Sequence, residues 1–514
     1  MAGPERAVPG PLRAVDSDPE PDAAAGFVLM APKLRIPGRR RELVSRARVL
    51  GHLMADPPKL TLVEAGAGWG KTTALTEWGT AAARVRPFAW VSLDCDDNDP
   101  ARFWSYLVQA LRGVDQGVGV ASLAALAGPE GAADALPLLV NELSSLRRQL
   151  VLVLDDYHSI TRDDIHQGLA FLLDHVADSL RLVVATRASP PLPVARSRAR
   201  GELLEIRSDE LAFSEGEAAA LLNDVLEIGI QPDDVARLHR RTEGWPAGLY
   251  LAALSMKGNR DPHEFTEAFA GDDRHIVDYL SAEVLDRQPP ELRTFMLRTS
   301  VLDELCGPLC DAVTEGRGSA DLLEELERAN LFLISLDTRR KWFRYHHLFA
   351  ELLRHQLDRH EPDQVPGLHR RAAAWYSEEG SIPPAVRHAT LAGDLDRASE
   401  LVTAHVGGGQ AVTLKTVASW LDDVPPGLEA RLARPRRGAR AGRRQRDGSR
   451  SEVLTDRELA VLRLLPDELS LREVGARLFL SLNTVKTHTR GIYRKLEVET
   501  RAEAVAKARQ SGLL

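Results

Sequence analysis

From about Pro58 to residue 213 the chain alternates short apolar runs with longer amphipathic stretches. Two of the amphipathic stretches, Pro100–Arg112 and Asp163–Val176, have the spacing of helices. The β-prone runs around them are Leu60–Glu64, Phe88–Leu93, Leu150–Leu154 and Arg181–Ala185. Strands that alternate with helices pair in parallel, so this part of the chain is predicted to form a doubly wound α/β sheet.

Helical periodicity dominates from Ser214 to Gly408. The pair Ser214-x-x-Glu217 is a capping box that opens one helix. Two short β-prone runs, Leu331–Leu336 and Lys341–Tyr345, flank a turn and precede a predicted helix over His346–Leu357. The middle of the chain is therefore predicted to be helical, with one small β element.

The last 64 residues have the pattern of a small independent bundle. Three capping boxes begin at Thr455, Ser470 and Thr500, and each opens an amphipathic run. Ser481 is a cap for a fourth helix, Leu482–Leu496. Four short helices are predicted.

Charge is distributed unevenly along the chain. The net charge is −8, yet nine arginines and one acid lie between Arg431 and Arg450. An acidic body with a basic C-terminal part indicates a polyanionic partner at that end only. The arginines are equally consistent with nonspecific contacts to DNA phosphates and with a solvated linker.

Composition excludes several classes of protein. Three cysteines cannot supply a disulfide framework, which favours a reducing, cytoplasmic setting. No apolar stretch reaches the roughly 20 residues that span a bilayer, so no membrane partner is expected. The N-terminal 32 residues, rich in Ala, Pro, Gly and acids, are predicted to be a disordered leader.

The segment Ala65-Gly-Ala-Gly-Trp-Gly-Lys-Thr72 fits the phosphate-binding loop of nucleotide-binding proteins. It follows a strand and opens a helix, so its backbone N–H groups can surround phosphate oxygens. Lys71 is predicted to reach the β- and γ-phosphates, and Thr72 to bind Mg²⁺. The alternative is a plain glycine turn. The predicted nucleotide-binding residues in this segment are Gly66, Gly68, Gly70, Lys71, Thr72 and Thr73.

Two acids follow the apolar run Leu150–Leu154. Asp155 is predicted to hold Mg²⁺, and Asp156 to orient or deprotonate an attacking water, because strand ends face the ligand crevice of such sheets. The alternative is a pair of helix-capping acids. Arg187 ends the next strand and is either a sensor of the γ-phosphate or a surface arginine.

The order of these motifs resembles the large ATP-binding LuxR-type regulators, the signal-transduction ATPases (STAND, AAA-like) of the maltose-regulon activator type. The resemblance is carried by Gly68–Thr73, Leu154–His158, Thr186-Arg187, Gly244–Gly248 and Trp342–Phe349. It implies that Pro246 packs near the adenine and that His346 touches the β-phosphate of bound ADP. For Pro246 the alternative is a helix-starting proline, and for His346 an ordinary histidine at a helix start, with His347 as the other candidate.

The C-terminal segment resembles the LuxR-type helix-turn-helix, best over Leu478–Leu496. Lys486, Thr487 and Arg490 share one helix face and are predicted to read bases in the major groove of double-stranded DNA. Asn483, Thr484, Arg494 and Lys495 are predicted to contact phosphates. The alternative is a protein-binding four-helix module. The helical-repeat sensor of the family is nearly absent, because the arginine run begins about ten residues after Leu421.

Together these features predict a multidomain protein that combines α/β and α parts. The predicted segments are a leader (1–32), a P-loop NTPase domain (33–213), a helical domain (214–288), a winged-helix domain (289–360), a short helical remnant (361–428), an arginine-rich linker (429–451) and the helix-turn-helix domain (452–514).

The resemblance implies a cytoplasmic transcription regulator, an activator switched by ATP and ADP with Mg²⁺. The ADP form is closed, and the ATP form self-associates on promoter DNA and engages RNA polymerase. Any hydrolysis is slow and regulatory. The alternatives are a turnover ATPase acting on DNA and a defective regulator without its sensor.

Overall fold

The computed structural model describes most of the chain up to residue 432 and part of the C-terminal segment. The described residues are 29–38, 44–55, 58–83, 86–128, 131–176, 178–257, 262–406, 420–421, 425–432, 461–462, 465, 489, 492–493, 495–496, 498 and 500–510. The chain divides into two units, Met1–Leu428 and Glu429–Leu514.

A parallel sheet forms the centre of the N-terminal part, as predicted, and it has five strands. Its strands are β1 (Leu60–Glu64), β2 (Phe88–Ser92), β3 (Leu150–Asp155), β4 (Leu180–Thr186) and β5 (Leu203–Ile206), in the order β2-β3-β4-β1-β5. In this order β4 lies between β1 and β3. The carboxyl ends of these three strands therefore meet at one edge of the sheet.

Strand β5 has no counterpart among the predicted strands. It is a four-residue edge strand that pairs with β1, from Leu60 opposite Leu203 to Val63 opposite Ile206. Three of its four residues are only half buried at the edge of the sheet, and one of these, Glu205, interrupts the apolar run. Alternation of this kind over four residues gives a weak signal.

Helices cover both faces of the sheet. They are α1 (Ala47–Met54), α2 (Lys71–Ala82), α3 (Pro100–Val114), α4 (Val120–Leu126), α5 (Ala132–Ser144), α6 (Asp163–His175) and α7 (Val194–Ala199). Strand β3 is buried along its whole length, and its apolar side chains pack with α3, α5 and α6 in one core. Short 3₁₀ turns lie at Ala31–Leu34, Cys95–Asn98 and Tyr157–Ser159.

The end of the predicted leader is packed against α3. The Met30 N–H donates to the Tyr106 hydroxyl at 2.9 Å, and Lys33 forms an ion pair with the buried Asp97 at 2.6 Å. Residues 1–28 lie outside the described part of the chain.

Helices dominate the described residues from 208 to 406, as predicted. They are α8 (Ser208–Leu211), α9 (Glu215–Ala219), α10 (Pro232–Thr242), α11 (Pro246–Met256), α12 (Pro262–Ala268), α13 (Arg274–Leu280), α14 (Pro290–Thr299), α15 (Gly307–Thr314), α16 (Ser319–Arg328), α17 (His347–His360), α18 (Val365–Glu378), α19 (Ile382–Leu391) and α20 (Leu395–Val406). Two π-helical segments, Ala220–Val225 and Ser281–Leu285, interrupt this array, and a 3₁₀ turn lies at Pro362–Gln364. The capping box at Ser214 and Glu217 is formed.

A short antiparallel hairpin precedes α17. Its strands β6 (Leu333–Ser335) and β7 (Phe343–Tyr345) lie within the two predicted β-prone runs. Tyr345 is buried, and its hydroxyl lies 2.9 Å from the Thr299 hydroxyl, which ties the hairpin to α14.

In the C-terminal unit, helix Arg501–Gln510 is preceded by the predicted capping box. The Thr500 N–H donates to the Glu503 carboxylate at 3.2 Å, and the Glu503 N–H donates to the Thr500 hydroxyl at 3.3 Å. A small core gathers buried Val461, Leu462, Leu465, Ile492, Leu496, Ala504 and Ala508. The capping boxes predicted at Thr455 and Ser470, and the cap at Ser481, lie outside the described residues.

No helix within the described part of the chain is both long and apolar enough to span a membrane. A further helix spans Pro426–Leu432.

Candidate functional site

The phosphate-binding loop joins β1 to α2 at the carboxyl edge of the sheet. Gly68 and Gly70 have positive φ angles of 76° and 74°, a conformation that side chains disfavour. At Gly68 an added Cβ would also lie 2.6 Å from the Ala247 side chain. The glycines are therefore needed for the turn and, at Gly68, for the close approach of another helix.

Lys71 begins α2 and folds back over the loop. Its Nζ donates to the carbonyl oxygens of Ala65 and Gly66 at 2.7 and 2.9 Å, and the residue is buried. Burial, and then the nearby Arg187 guanidinium, lower the pKa of Lys71 to about 8. An anionic ligand stabilises the charged form of such a lysine, so the loop fits a phosphate.

Thr72 and Asp155 bring two hard oxygen ligands together. The Thr72 hydroxyl donates to the Asp155 carboxylate oxygens at 2.9 and 3.1 Å. Burial and the neighbouring Asp156 raise the pKa of Asp155 to about 6. Mg²⁺ is usually held by one or two carboxylates together with phosphate oxygens, and this pair fits that pattern.

Asp156 adopts a left-handed conformation, with φ of 55°, and its side chain is 46% exposed. The strand end thus separates the two acids, one buried beside Thr72 and the other open to solvent. The division matches the predicted roles of Asp155 on the metal and Asp156 on water, which stay predictions. Thr73 follows in the first turn of α2 and is half buried.

The segment before α11 lies directly on the phosphate-binding loop. Trp245 is fully buried, and its indole Nε1 donates to the Ala67 carbonyl at 3.1 Å. The Ala247 N–H donates to the Gly68 carbonyl at 3.2 Å. Pro246 is the first residue of α11, the position that proline favours in helices. It also lies beside the phosphate-binding loop, because its neighbours Trp245 and Ala247 both bond to that loop.

His346 lies on the same side of the loop. Its ring packs edge-on against Trp69 and Trp245, with centroids 6.5 and 6.1 Å away. Nε2 lies 2.9 Å from the Thr242 carbonyl, which only accepts, so Nε2 carries the proton. Nδ1 is buried and has no hydrogen-bond partner among the described residues. Burial lowers the pKa of His346.

His347, the other candidate, is exposed. Its Nδ1 lies 3.2 Å from the Glu243 carboxylate, which also binds Arg344. Of the two histidines, His346 is the one that the fold brings to the loop.

Arg187 follows β4 and is not a free surface arginine. Its guanidinium forms an ion pair with Glu283 at 3.0 Å, and both side chains are 29% exposed. Its role as a γ-phosphate sensor stays a prediction.

Two residues of the site, Arg46 and Glu64, have no counterpart among the predicted ones. Buried Arg46 donates to the carbonyl oxygens of Trp69, Gly70 and Leu211 at 2.7–3.2 Å. Glu64 accepts from Ser189 and Asn330 at 2.6 and 3.0 Å. Their partners lie far away in sequence, so no local motif marks them.

Of the predicted DNA-contacting residues, only Lys495 is described, and it is half buried. The other six, Asn483, Thr484, Lys486, Thr487, Arg490 and Arg494, lie outside the described residues.

Two family models match the chain. The MalT winged helix domain matches residues 281–365, and the bacterial regulatory proteins of the luxR family match residues 452–508. The first match includes Asn330 and His346 of the site together with Glu283.

Curated relatives match a long stretch of the chain. The serine/threonine-protein kinase PknK of Mycobacterium tuberculosis is 37% identical over 70% of this chain and 33% of its own length. The HTH-type transcriptional regulator MalT is 37% identical in Serratia proteamaculans, over 74% of this chain and 42% of the relative. The chain thus spans less than half the length of these relatives.

Solved structures also align with parts of the chain. A Walker-type ATPase of Pyrococcus abyssi aligns over 62% of this chain and 97% of its own, with 13% identity and a TM-score of 0.44. A signal transduction ATPase with a tetratricopeptide repeat sensor from Pyrococcus horikoshii aligns over 72% and 51%, with 15% identity and a TM-score of 0.32. With its winged-helix and luxR matches and its MalT relatives, the chain belongs to the MalT-like proteins of the LuxR type.

Proposed function

We propose that this chain is a DNA-binding transcription regulator, an activator, in which ATP or ADP with Mg²⁺ at the phosphate-binding loop controls the C-terminal DNA reader. The observation that carries the proposal is the position of the loop. Residues from two later parts of the chain, Trp245 and His346, close over it. A change of nucleotide therefore acts directly on contacts between the sheet and these later parts.

The loop residues have distinct roles in this proposal. Lys71 exchanges its bonds to the Ala65 and Gly66 carbonyls for phosphate oxygens. Thr72 and Asp155 hold Mg²⁺, which supplies charge neutralisation when bound. Asp156 orients water for slow hydrolysis that resets the switch.

His346 makes the closed form sensitive to the bound ligand. Its unpartnered Nδ1 donates to a phosphate only when the ring takes a second proton, since Nε2 already serves Thr242. An anion beside the ring favours that proton. ADP thus stabilises the closed form, in line with the resemblance.

The luxR-family match assigns DNA binding to residues 452–508. We propose promoter DNA and RNA polymerase as partners, ATP-dependent self-association as the active state, and the cytoplasm as the location. Several DNA-binding domains that self-association brings together bind neighbouring DNA sites more tightly than one domain alone.

Calorimetric titration of the full chain with ADP and with ATP tests the nucleotide site. Lys71→Ala is expected to weaken both affinities at least 100-fold. Lys257→Ala, an exposed lysine at the end of α11, is the matched control and should bind normally. Unchanged affinity in Lys71→Ala overturns the assignment.

A further inference from the structure

The ion pair between Arg187 and Glu283 joins the sheet to the π-helical segment Ser281–Leu285. Arg187 directly follows the last residue of β4. In the sheet, β4 lies between β1, which leads into the phosphate-binding loop, and β3, which ends at Asp155. Glu283 belongs to the region matched by the MalT winged helix domain. The bond therefore connects the phosphate edge of the sheet to the later part of the chain.

Glu283 also has an ion-pair partner close to it in sequence, Arg287. Its second oxygen accepts from the Arg287 guanidinium at 2.8 Å, one helical turn along. Arg287 can keep the carboxylate in place when Arg187 leaves, so the pair can open without exposing an unpaired acid. π-Helical segments are often functional, since they reposition side chains at some cost in backbone geometry.

The charges around Arg187 show that it faces the phosphate region. Burial lowers the pKa of Lys71, and the Arg187 guanidinium is the nearby charge that lowers it further. Burial lowers the pKa of His158 to about 4 against the opposing Asp156 carboxylate, and Arg187 and Lys71 contribute to the lowering. The two cations therefore lie near enough to repel each other. Glu283 relieves that repulsion from the side of Arg187.

Asp155 ends β3 and Asp156 follows it directly, whereas Glu283 comes from a separate element, the segment Ser281–Leu285. A terminal phosphate that reaches the space between Lys71 and Arg187 carries the same kind of charge as Glu283. Both anions then compete for one guanidinium, which binds oxygen anions in a fixed geometry.

We propose that Glu283 sets the preference between ADP and ATP by competing with the terminal phosphate of ATP for Arg187. This inference rests on the proposed nucleotide function. With ADP the pair stays intact and segment Ser281–Leu285 stays on the sheet. With ATP, Arg187 leaves Glu283, and the segment loses its tie to β4.

Glu283→Gln in the full chain removes the competing charge and keeps the side-chain size. The dissociation constant for ATP should fall about fivefold, as expected for a partly buried ion pair, while that for ADP changes by less than about twofold. Glu291→Gln is the matched control, because Glu291 is exposed on α14 and makes no ion pair among the described residues. It should change neither constant.

A double-mutant cycle separates this role from a general effect of charge. In an Arg187→Gln background, Glu283→Gln should shift ATP affinity by less than about twofold. An undiminished shift there means that Glu283 does not act through Arg187, and equal gains for ADP and ATP mean that it does not discriminate between them. An unchanged ATP constant in Glu283→Gln means that the two anions do not compete. Each of these three results overturns the inference.

The wild-type titration keeps the inference separate from the proposed function. If the wild-type chain binds neither nucleotide, the nucleotide site itself is wrong. If it binds ADP and ATP but the cycle fails, only the role of Glu283 is wrong. Sedimentation velocity gives a second readout, because Glu283→Gln should need less ATP to change its sedimentation coefficient.

Discussion

The indole Nε1 of Trp245 donates to the carbonyl of Ala67 across 178 residues of sequence, at 3.1 Å. This bond fastens the start of α11 to the middle of the phosphate-binding loop. A loop that holds phosphate through its own backbone cannot change shape without straining such a bond, so the contact couples ligand state to the later helices.

Trp245→Phe tests the strength of that contact. The ring still fills the core, but the Ala67 carbonyl loses its partner, and an unpaired buried acceptor costs about 1–3 kcal/mol of unfolding free energy. We expect a loss in that range in urea unfolding of the full chain. The control Trp375→Phe, whose indole makes no hydrogen bond among the described residues, should cost less. Equal losses in both variants contradict the account.

Arg46→Met removes the cation beneath the phosphate-binding loop. Burial lowers the pKa of Arg46 to about 10, yet the side chain satisfies three carbonyl oxygens. We expect a loss of about 3 kcal/mol in unfolding free energy, together with weaker nucleotide binding. Arg48→Met, at an exposed residue that donates to Glu210 and Ala212 carbonyls, should cost under about 1 kcal/mol. A nucleotide affinity unaffected by Arg46→Met would show that Arg46 does not shape the loop.

Asp155→Asn should stabilise the protein in the absence of Mg²⁺ near neutral pH. The pKa of Asp155 rises from 3.8 to about 6 in the fold, so the folded state holds a proton that the unfolded chain releases. Stability is therefore lost as pH rises through this window. The variant should gain about 3 kcal/mol at pH 7 and only about 1 kcal/mol near pH 4.5. Urea unfolding at both pH values checks this, and a gain that does not depend on pH contradicts it.

The same variant should keep nucleotide but lose Mg²⁺-dependent hydrolysis. The buried carboxylate beside Thr72 is the group that holds the metal in the proposed site. Single-turnover hydrolysis with radiolabelled ATP measures the effect. Turnover at the wild-type rate would remove Asp155 from the metal site.

The DNA reader is tested by two substitutions predicted from sequence. Arg490→Ala should relax base preference at one position, at a cost of about 1–3 kcal/mol. Lys495→Ala should weaken binding to all sequences and reduce the salt slope by about one unit. Binding of matched sites at two salt concentrations separates these effects. A uniform loss for Arg490→Ala would make it another phosphate contact.

Sequence patterns predicted the elements whose signal is local. Four of the five strands and the phosphate-binding loop follow from apolar runs and glycine spacing, because those features depend on neighbouring residues. Strand β5 was missed, since it is a short edge strand with Glu205 inside it. Local patterns suffice where burial is complete and fail at an exposed edge.

The contacts that close over the loop were beyond local patterns. Arg46 bonds to Leu211 over 165 residues, and Asn330 to Glu64 over 266. Likewise, His346 and His347 have the same sequence context, and only packing against Trp69 and Trp245 separates them. Tertiary packing decides such choices, so they needed the structure.

The most direct test of the central claim is DNA binding by the full chain in ADP and in a slowly hydrolysed ATP analogue, measured beside Lys71→Ala. We predict that the wild-type chain binds promoter DNA at least tenfold more tightly with the analogue than with ADP, while Lys71→Ala binds equally in both. Equal binding by the wild-type chain in the two nucleotides would contradict the claim that the phosphate-binding loop controls the DNA reader.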